Sequence, residues 1–135
     1  MLNSLPLPLV FDHYAGAKAK LGLQQEGLAQ VLELVESGRA YVKLSAPYRV
    51  SERPGYADLE DLTRLFIRCN PDRMLRGSDW PHPQPGVRPR AEGVCPPFDV
   101  DNDYVLKSLA RCVRDDAILQ KIWVTNPERL YGFGD

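Results

Sequence analysis

The sequence predicts an α/β fold with a parallel sheet, and three observations predict it. Short apolar runs alternate with segments whose apolar residues recur at helical spacing, the pattern of strands joined by crossover helices. The runs are bounded by Pro, Gly or Asn, which interrupt regular structure. Asp and His follow two of the runs, at Asp12-His13 and within Ser78-Asp79-Trp80-Pro81-His82. The carboxyl ends of parallel strands are where α/β barrels carry their chemistry.

Leu7 to Phe11 reads as the first strand, apolar throughout and therefore buried on both faces. A helix from about Gln24 to Ser37 follows, with Leu28, Val31, Leu32 and Val35 on one stripe and Gly38 as its stop. Ala40 to Ser45 is the second strand. Asp58 is expected to cap a helix with the stripe Leu59, Leu62, Leu65, Phe66 and Cys69, ended by Asn70-Pro71. Met74 to Ser78 is the third strand and delivers Asp79 to its carboxyl end.

Residues 81–100 are proline-rich, and a loop of that length in a compact domain is usually functional or disordered. Directly after Asp79, it is read either as a cover over the site or as a loose insert. Asp101 or Asn102 then caps a stripe of Val105, Leu106, Leu109, Cys112 and Val113, and Asp115 or Asp116 caps Ile118, Leu119 and Ile122. Asn126-Pro127 reads as an N-cap followed by Pro at the first helical position of a terminal turn through Leu130. The order is β-α-β-α-β-loop-α-α. Three parallel strands leave two edges unpaired, so the chain reads as part of a larger sheet or barrel.

With 135 residues, 44% of them apolar, and a formal charge of −1, the chain fits one domain with its own core, residues 1–135. No basic patch supplies the electrostatic footprint of a nucleic-acid binder. No apolar run approaches the roughly 20 residues of a membrane span. Cys69, Cys95 and Cys112 are odd in number and lack zinc or disulfide spacing, so a reducing, cytoplasmic location is expected.

Four segments carry a resemblance: Val10-Phe11-Asp12-His13-Tyr14-Ala15-Gly16; Tyr41-Val42-Lys43-Leu44-Ser45 with Tyr48-Arg49; Gly77-Ser78-Asp79-Trp80-Pro81-His82; and Asn126-Pro127-Glu128-Arg129-Leu130-Tyr131-Gly132-Phe133. In this order they resemble the amidohydrolase-related family of TIM-barrel hydrolases, in particular its 2-pyrone-4,6-dicarboxylate lactonase-like branch. The resemblance implies a partial TIM barrel, the last three βα units of a (β/α)8 metal-dependent-hydrolase-type barrel plus C-terminal helices. The family's opening strand carries an H-x-H pair, and nothing before Leu7 matches it.

For the site, the resemblance implies Asp79 as the catalytic carboxylate and His13 beside it. Asp79 would take the proton of an attacking water, and His13 would polarise the carbonyl; both would ligate a metal if one is used. Arg49, or else the nearby Arg53, would hold a carboxylate of a small-molecule substrate, with Ser45, Tyr48 and His82 as further contacts. The cofactor stays open between a divalent metal such as zinc and none. Two protein ligands are fewer than the three a catalytic zinc normally keeps.

Plainer readings stand beside these. Asp79 is otherwise a turn-capping carboxylate, His13 a histidine locked by Asp12 or a backbone carbonyl, and His82 a structural loop contact. Lys43 is otherwise a partner of a barrel carboxylate and Arg49 a solvated charge. Tyr14, Tyr48 and Trp80 either line a pocket for a flat ring or pack in the ordinary way. The expected activity is hydrolysis of a lactone or related carboxylated molecule. The alternatives are a non-catalytic half-barrel that forms a homo-oligomer or complements a separate N-terminal half, and a decarboxylase of the same wider family.

Overall fold

The structure, a computed structural model, describes residues 6–84 and 96–133. Strands β1 (Leu9–Phe11), β2 (Ala40–Leu44) and β3 (Met74–Arg76) form one sheet in the order β1-β2-β3, and both pairings are parallel as expected. Leu9 lies opposite Ala40 and Phe11 opposite Val42; Val42 in turn lies opposite Met74 and Leu44 opposite Arg76. The three carboxyl ends therefore share one edge of the sheet.

β1 is not buried on both faces. Leu9 and Phe11 pack against the core, while Val10 is 38% exposed. An edge strand has one neighbour, and among the described residues no layer covers its second face.

Helices α1 (Leu28–Glu36), α3 (Glu60–Cys69) and α4 (Asn102–Val113) lie along the chain where helical stripes were expected, and a single-turn α2 (Pro47–Val50) follows β2. α1 starts later than its stripe suggests. Gly27 takes a left-handed φ of 80°, and Gln25 ties the preceding turn by bonding Lys18 and Gly22. Gly38 (φ 76°) ends it as expected.

The core forms where Ala40, Val42 and Leu44 of β2 meet Leu34 and Val35 of α1, Leu62 and Phe66 of α3, and Leu109 of α4. Each such large side chain, taken out of water, contributes about 1.5–3 kcal/mol. Leu34 and Ile67 are buried beyond the predicted stripes.

Asp58 does not cap α3. Its Oδ1 accepts a hydrogen bond from the Ser51 hydroxyl, and the helix grows instead from a turn over Pro54–Leu59. Asp101 and Asp115 do cap: Asp101 accepts from the Tyr104 N–H at 2.9 Å, and Asp115 from those of Ala117 and Ile118.

The Asn126-Pro127 expectation is corrected. Helix α5 (Asp116–Gln120) runs through a π turn (Lys121–Thr125) into α6 (Asn126–Tyr131) without a break, and both Thr125 and Asn126 have helical φ and ψ. Proline removes one helical hydrogen bond and crowds the preceding turn, which the wider π turn accommodates. Asn126 is fully buried and donates from Nδ2 to the carbonyls of Pro71 and Met74, both at 2.8 Å. It pins the closing helices to the start of β3. Among the described residues, no helix is long and apolar enough to cross a membrane.

Candidate active site

Because the strands are parallel, the residues just beyond β1, β2 and β3 meet at one edge: His13 after β1, Ser45 after β2, and Asp79 after β3. His13 opens a left-handed turn in which His13, Tyr14, Ala15 and Gly16 all have positive φ (50°, 54°, 57° and 77°). Ala46, Asp79 and His82 are left-handed as well. Each non-glycine residue held so costs on the order of 1 kcal/mol or more, and such strain concentrates at functional sites.

The carboxylate of Asp79 is the centre. Its Oδ2 accepts the Tyr48 hydroxyl at 2.6 Å and Arg49 Nε at 2.7 Å, and its Oδ1 lies 3.4 Å from His13 Nε2. His13 is oriented by Ser45, whose Oγ lies 3.0 Å from Nδ1 and also accepts the His13 backbone N–H. Gly77 lets this happen, since a Cβ there would stand 3.0 Å from the Ser45 Cβ. Burial pushes the Asp79 carboxyl up, but the bonds from Tyr48 and Arg49 and the charges of His13 and Arg49 outweigh it and hold it below the usual value. Burial and the neighbouring carboxylate raise the Tyr48 phenol, which stays protonated as a donor.

Behind Tyr48 lies His82, 6% exposed, with Nδ1 3.2 Å from the phenol oxygen and Nε2 3.2 Å from Nδ2 of Asn102. Its backbone is fixed on both sides: its N–H donates to the Asp79 carbonyl at 2.6 Å, and its carbonyl accepts from Phe98 at 2.8 Å. The Trp80–Pro81 peptide between them is cis. Phe98 also brings its ring 5.2 Å from that of Tyr48, and Pro83 bridges Pro97. The described ends of the proline-rich loop thus close beside Tyr48. Residues 85–95 of that loop, Cys95 among them, lie outside the described residues.

All six predicted site residues come together here, with some corrections of partner. His13 is held by Ser45, not by Asp12 or a backbone carbonyl, because Asp12 is turned to Lys43 at 2.9 Å. Lys43 thus does find a carboxylate. Arg49 is no solvated charge: its Nε is on Asp79 and its Nη2 on the Pro83 carbonyl, so much of its fork is spent within the chain, while Arg53 is exposed. Tyr14 is packing, buried 6.3 Å from Phe66 with its hydroxyl on Thr63 and its pKa pushed up to about 12 by burial. Trp80 is 77% exposed.

Sequence reasoning saw Asn102 only as a cap for α4. The available signal was redundancy, for once Asp101 takes the cap, Asn102 is left to turn elsewhere. Among the described residues no three His, Cys, Asp or Glu side chains are placed to hold a metal ion. The pair His13 and Asp79 does not by itself fit the donor set of a catalytic zinc.

The family model described as amidohydrolase matches residues 1–133. The chain is 30% identical to 4-sulfomuconolactone hydrolase of Hydrogenophaga intermedia, over 97% of this chain and 41% of that protein. It is 28% identical to 2-pyrone-4,6-dicarboxylate hydrolase of Comamonas testosteroni, over 96% and 42% respectively. In fold it is similar to a crystal structure from Acinetobacter baumannii, described as a probable 2-pyrone-4,6-dicarboxylic acid hydrolase with citric acid bound. The TM-score is 0.77 at 22% identity, covering 98% of this chain and 46% of that one. The chain spans about two fifths of the length of the curated relatives it matches.

Proposed function

Since the chain belongs to the amidohydrolase family, we propose that it is the carboxyl-terminal part of a TIM-barrel lactone hydrolase acting on a small carboxylated lactone. One observation carries this reading: Tyr48 and Arg49 of α2 and His13 of the turn after β1 converge on the Asp79 carboxylate at the strand ends. The three parallel strands and closing helices supply the last three βα units of the barrel.

In the reaction, a water attacks the lactone carbonyl and passes its proton to Asp79 as the new C–O bond forms. The oxyanion is met by the His13 imidazole. The ring C–O bond then breaks, and the proton held by Asp79 goes to the departing oxygen, giving a hydroxy acid. Asp79 with two donors on one oxygen is a weak base. A substrate carboxylate that draws Arg49 onto itself removes one of those donors and raises the basicity of Asp79 when substrate is present. The relatives named for lactones with carboxylate or sulfonate groups, and the citric acid bound in the Acinetobacter structure, support an anionic substrate.

Turnover of a pyrone dicarboxylate by the purified chain, measured with and without added zinc, tests the reading. Hydrolysis that disappears in Asp79→Asn is expected. Hydrolysis that survives in Asp79→Asn would place the chemistry elsewhere.

A second reading rests on the two outer edges of the sheet, which no described strand covers, and on exposed Val10. It makes the chain a non-catalytic half-barrel that pairs with another copy. Light scattering decides it, since a stable monomer contradicts edge pairing.

A further inference from the structure

We infer that Asn102 is a positioning residue that fixes the His82 tautomer, and through His82 and Tyr48 aims a hydrogen bond at Asp79. This rests on the reading of Asp79 as the reacting carboxylate only for its purpose, not for its geometry.

The argument is a count of protons. The Tyr48 hydroxyl has one, and two neighbours compete for it: Asp79 Oδ2 at 2.6 Å and His82 Nδ1 at 3.2 Å. The nearer neighbour is the carboxylate, and a charge-assisted bond of that length takes the proton. The phenol oxygen then has only lone pairs to offer His82, so Nδ1 must carry the imidazole proton or two lone pairs would face each other. A neutral ring with Nδ1–H has a bare Nε2. The amide nitrogen of Asn102 stands 3.2 Å from that atom and supplies the donor it needs.

All three bonds hold in only one direction, from Asn102 to His82 to Tyr48 to Asp79. Which imidazole nitrogen is protonated follows from the partner of the other nitrogen, so Asn102 selects the tautomer. Reversing the amide would protonate Nε2 and leave Nδ1 to compete with Asp79 for the single phenol proton. The ring is packed in place, with His82 only 6% exposed, and its backbone is bonded to Asp79 on one side and Phe98 on the other. Asn102 is the first residue of α4 and exposed, with Asp101 holding the cap, so the helix does not need its side chain.

The test is the ring 15N spectrum of His82 at a pH where both imidazoles are neutral; with two histidines in the chain, a His13→Asn variant assigns it. The expected result is a protonated Nδ1 and an unprotonated Nε2. In Asn102→Asp the new carboxylate accepts instead of donating, and the Nδ1–H state is lost in favour of protonated Nε2. In Asn102→Gln, which keeps the amide donor, it is retained. A wild-type ring protonated on Nε2, or an unchanged Nδ1–H signal in Asn102→Asp, overturns the inference. The readout needs no turnover, so an inactive chain counts against the proposed function and leaves this test standing.

Discussion

Arg49 and Asp79 are joined by a bond of 2.7 Å from Nε to Oδ2, on the same carboxylate oxygen that accepts the Tyr48 hydroxyl. Two donors on one oxygen stabilise the charged form of the acid and so tie the stability of the fold at this edge to pH. Both side chains are largely buried, 16% and 13% exposed, which limits screening by water.

The sign of that dependence follows from the lowered pKa of Asp79. A carboxyl depressed in the folded state contributes stability above its unfolded value, near 3.8, and loses it as pH falls through the folded value. Tyr48→Phe removes one charge-assisted bond and is expected to cost about 1–3 kcal/mol at neutral pH. The difference from wild type shrinks once Asp79 is protonated. Urea unfolding at neutral pH and well below 3.8 checks this, and an equal cost at both would refute it.

Arg49→Ala is expected to raise the pKa of Asp79, because it removes a hydrogen bond and a positive charge while burial remains. A carboxyl 13C titration reads this directly. A pKa that stays put or falls would mean that the guanidinium does not hold the carboxylate in solution.

Gly77→Ala puts a methyl 3.0 Å from the Ser45 Cβ, between two backbones that β2 and β3 hold in register. Relief requires Ser45 to move, and Ser45 orients His13. The expected outcome is a loss of about 1–3 kcal/mol together with shifted His13 ring signals. Unchanged His13 signals would show that Ser45 does not set the imidazole.

Asn126→Ala removes the side-chain donor that the Pro71 and Met74 carbonyls share in the core. The Pro71 carbonyl keeps the Met74 backbone N–H, so a loss of about 1–3 kcal/mol in urea unfolding is expected. Phe66→Ala, which empties the centre of the α3 face, is expected to cost about 3–5 kcal/mol in the same measurement. A small effect at Asn126 would mean that water replaces its amide.

What the sequence determined by itself is whatever rests on neighbouring residues. The short apolar run from Ala40 and the α3 stripe set strand and helix, Gly38 stopped α1, and α4 and α5 were each capped by one of the two adjacent candidates, because each signal acts within a turn or two of chain. Asp79 and His13 were legible for a related reason: both stand at strand ends, and parallel strands bring such ends together.

Only the tertiary structure decided the partners. Asn126 has the local chemistry of a cap, yet its amide is taken by carbonyls 52 and 55 residues away, and Asp58 is likewise drawn to Ser51. The left-handed backbone of Tyr14 and Ala15 has no sequence signal, since strain there is held by packing around the turn. Arg49 turned inward and Asn102 reached His82 because a buried charge and a buried imidazole must be paired by whatever donor or acceptor the fold brings within about 3 Å. Hydrogen bonds are short-ranged in space but indifferent to distance along the chain, and that is why the sequence marked the elements and the folded chain chose the contacts.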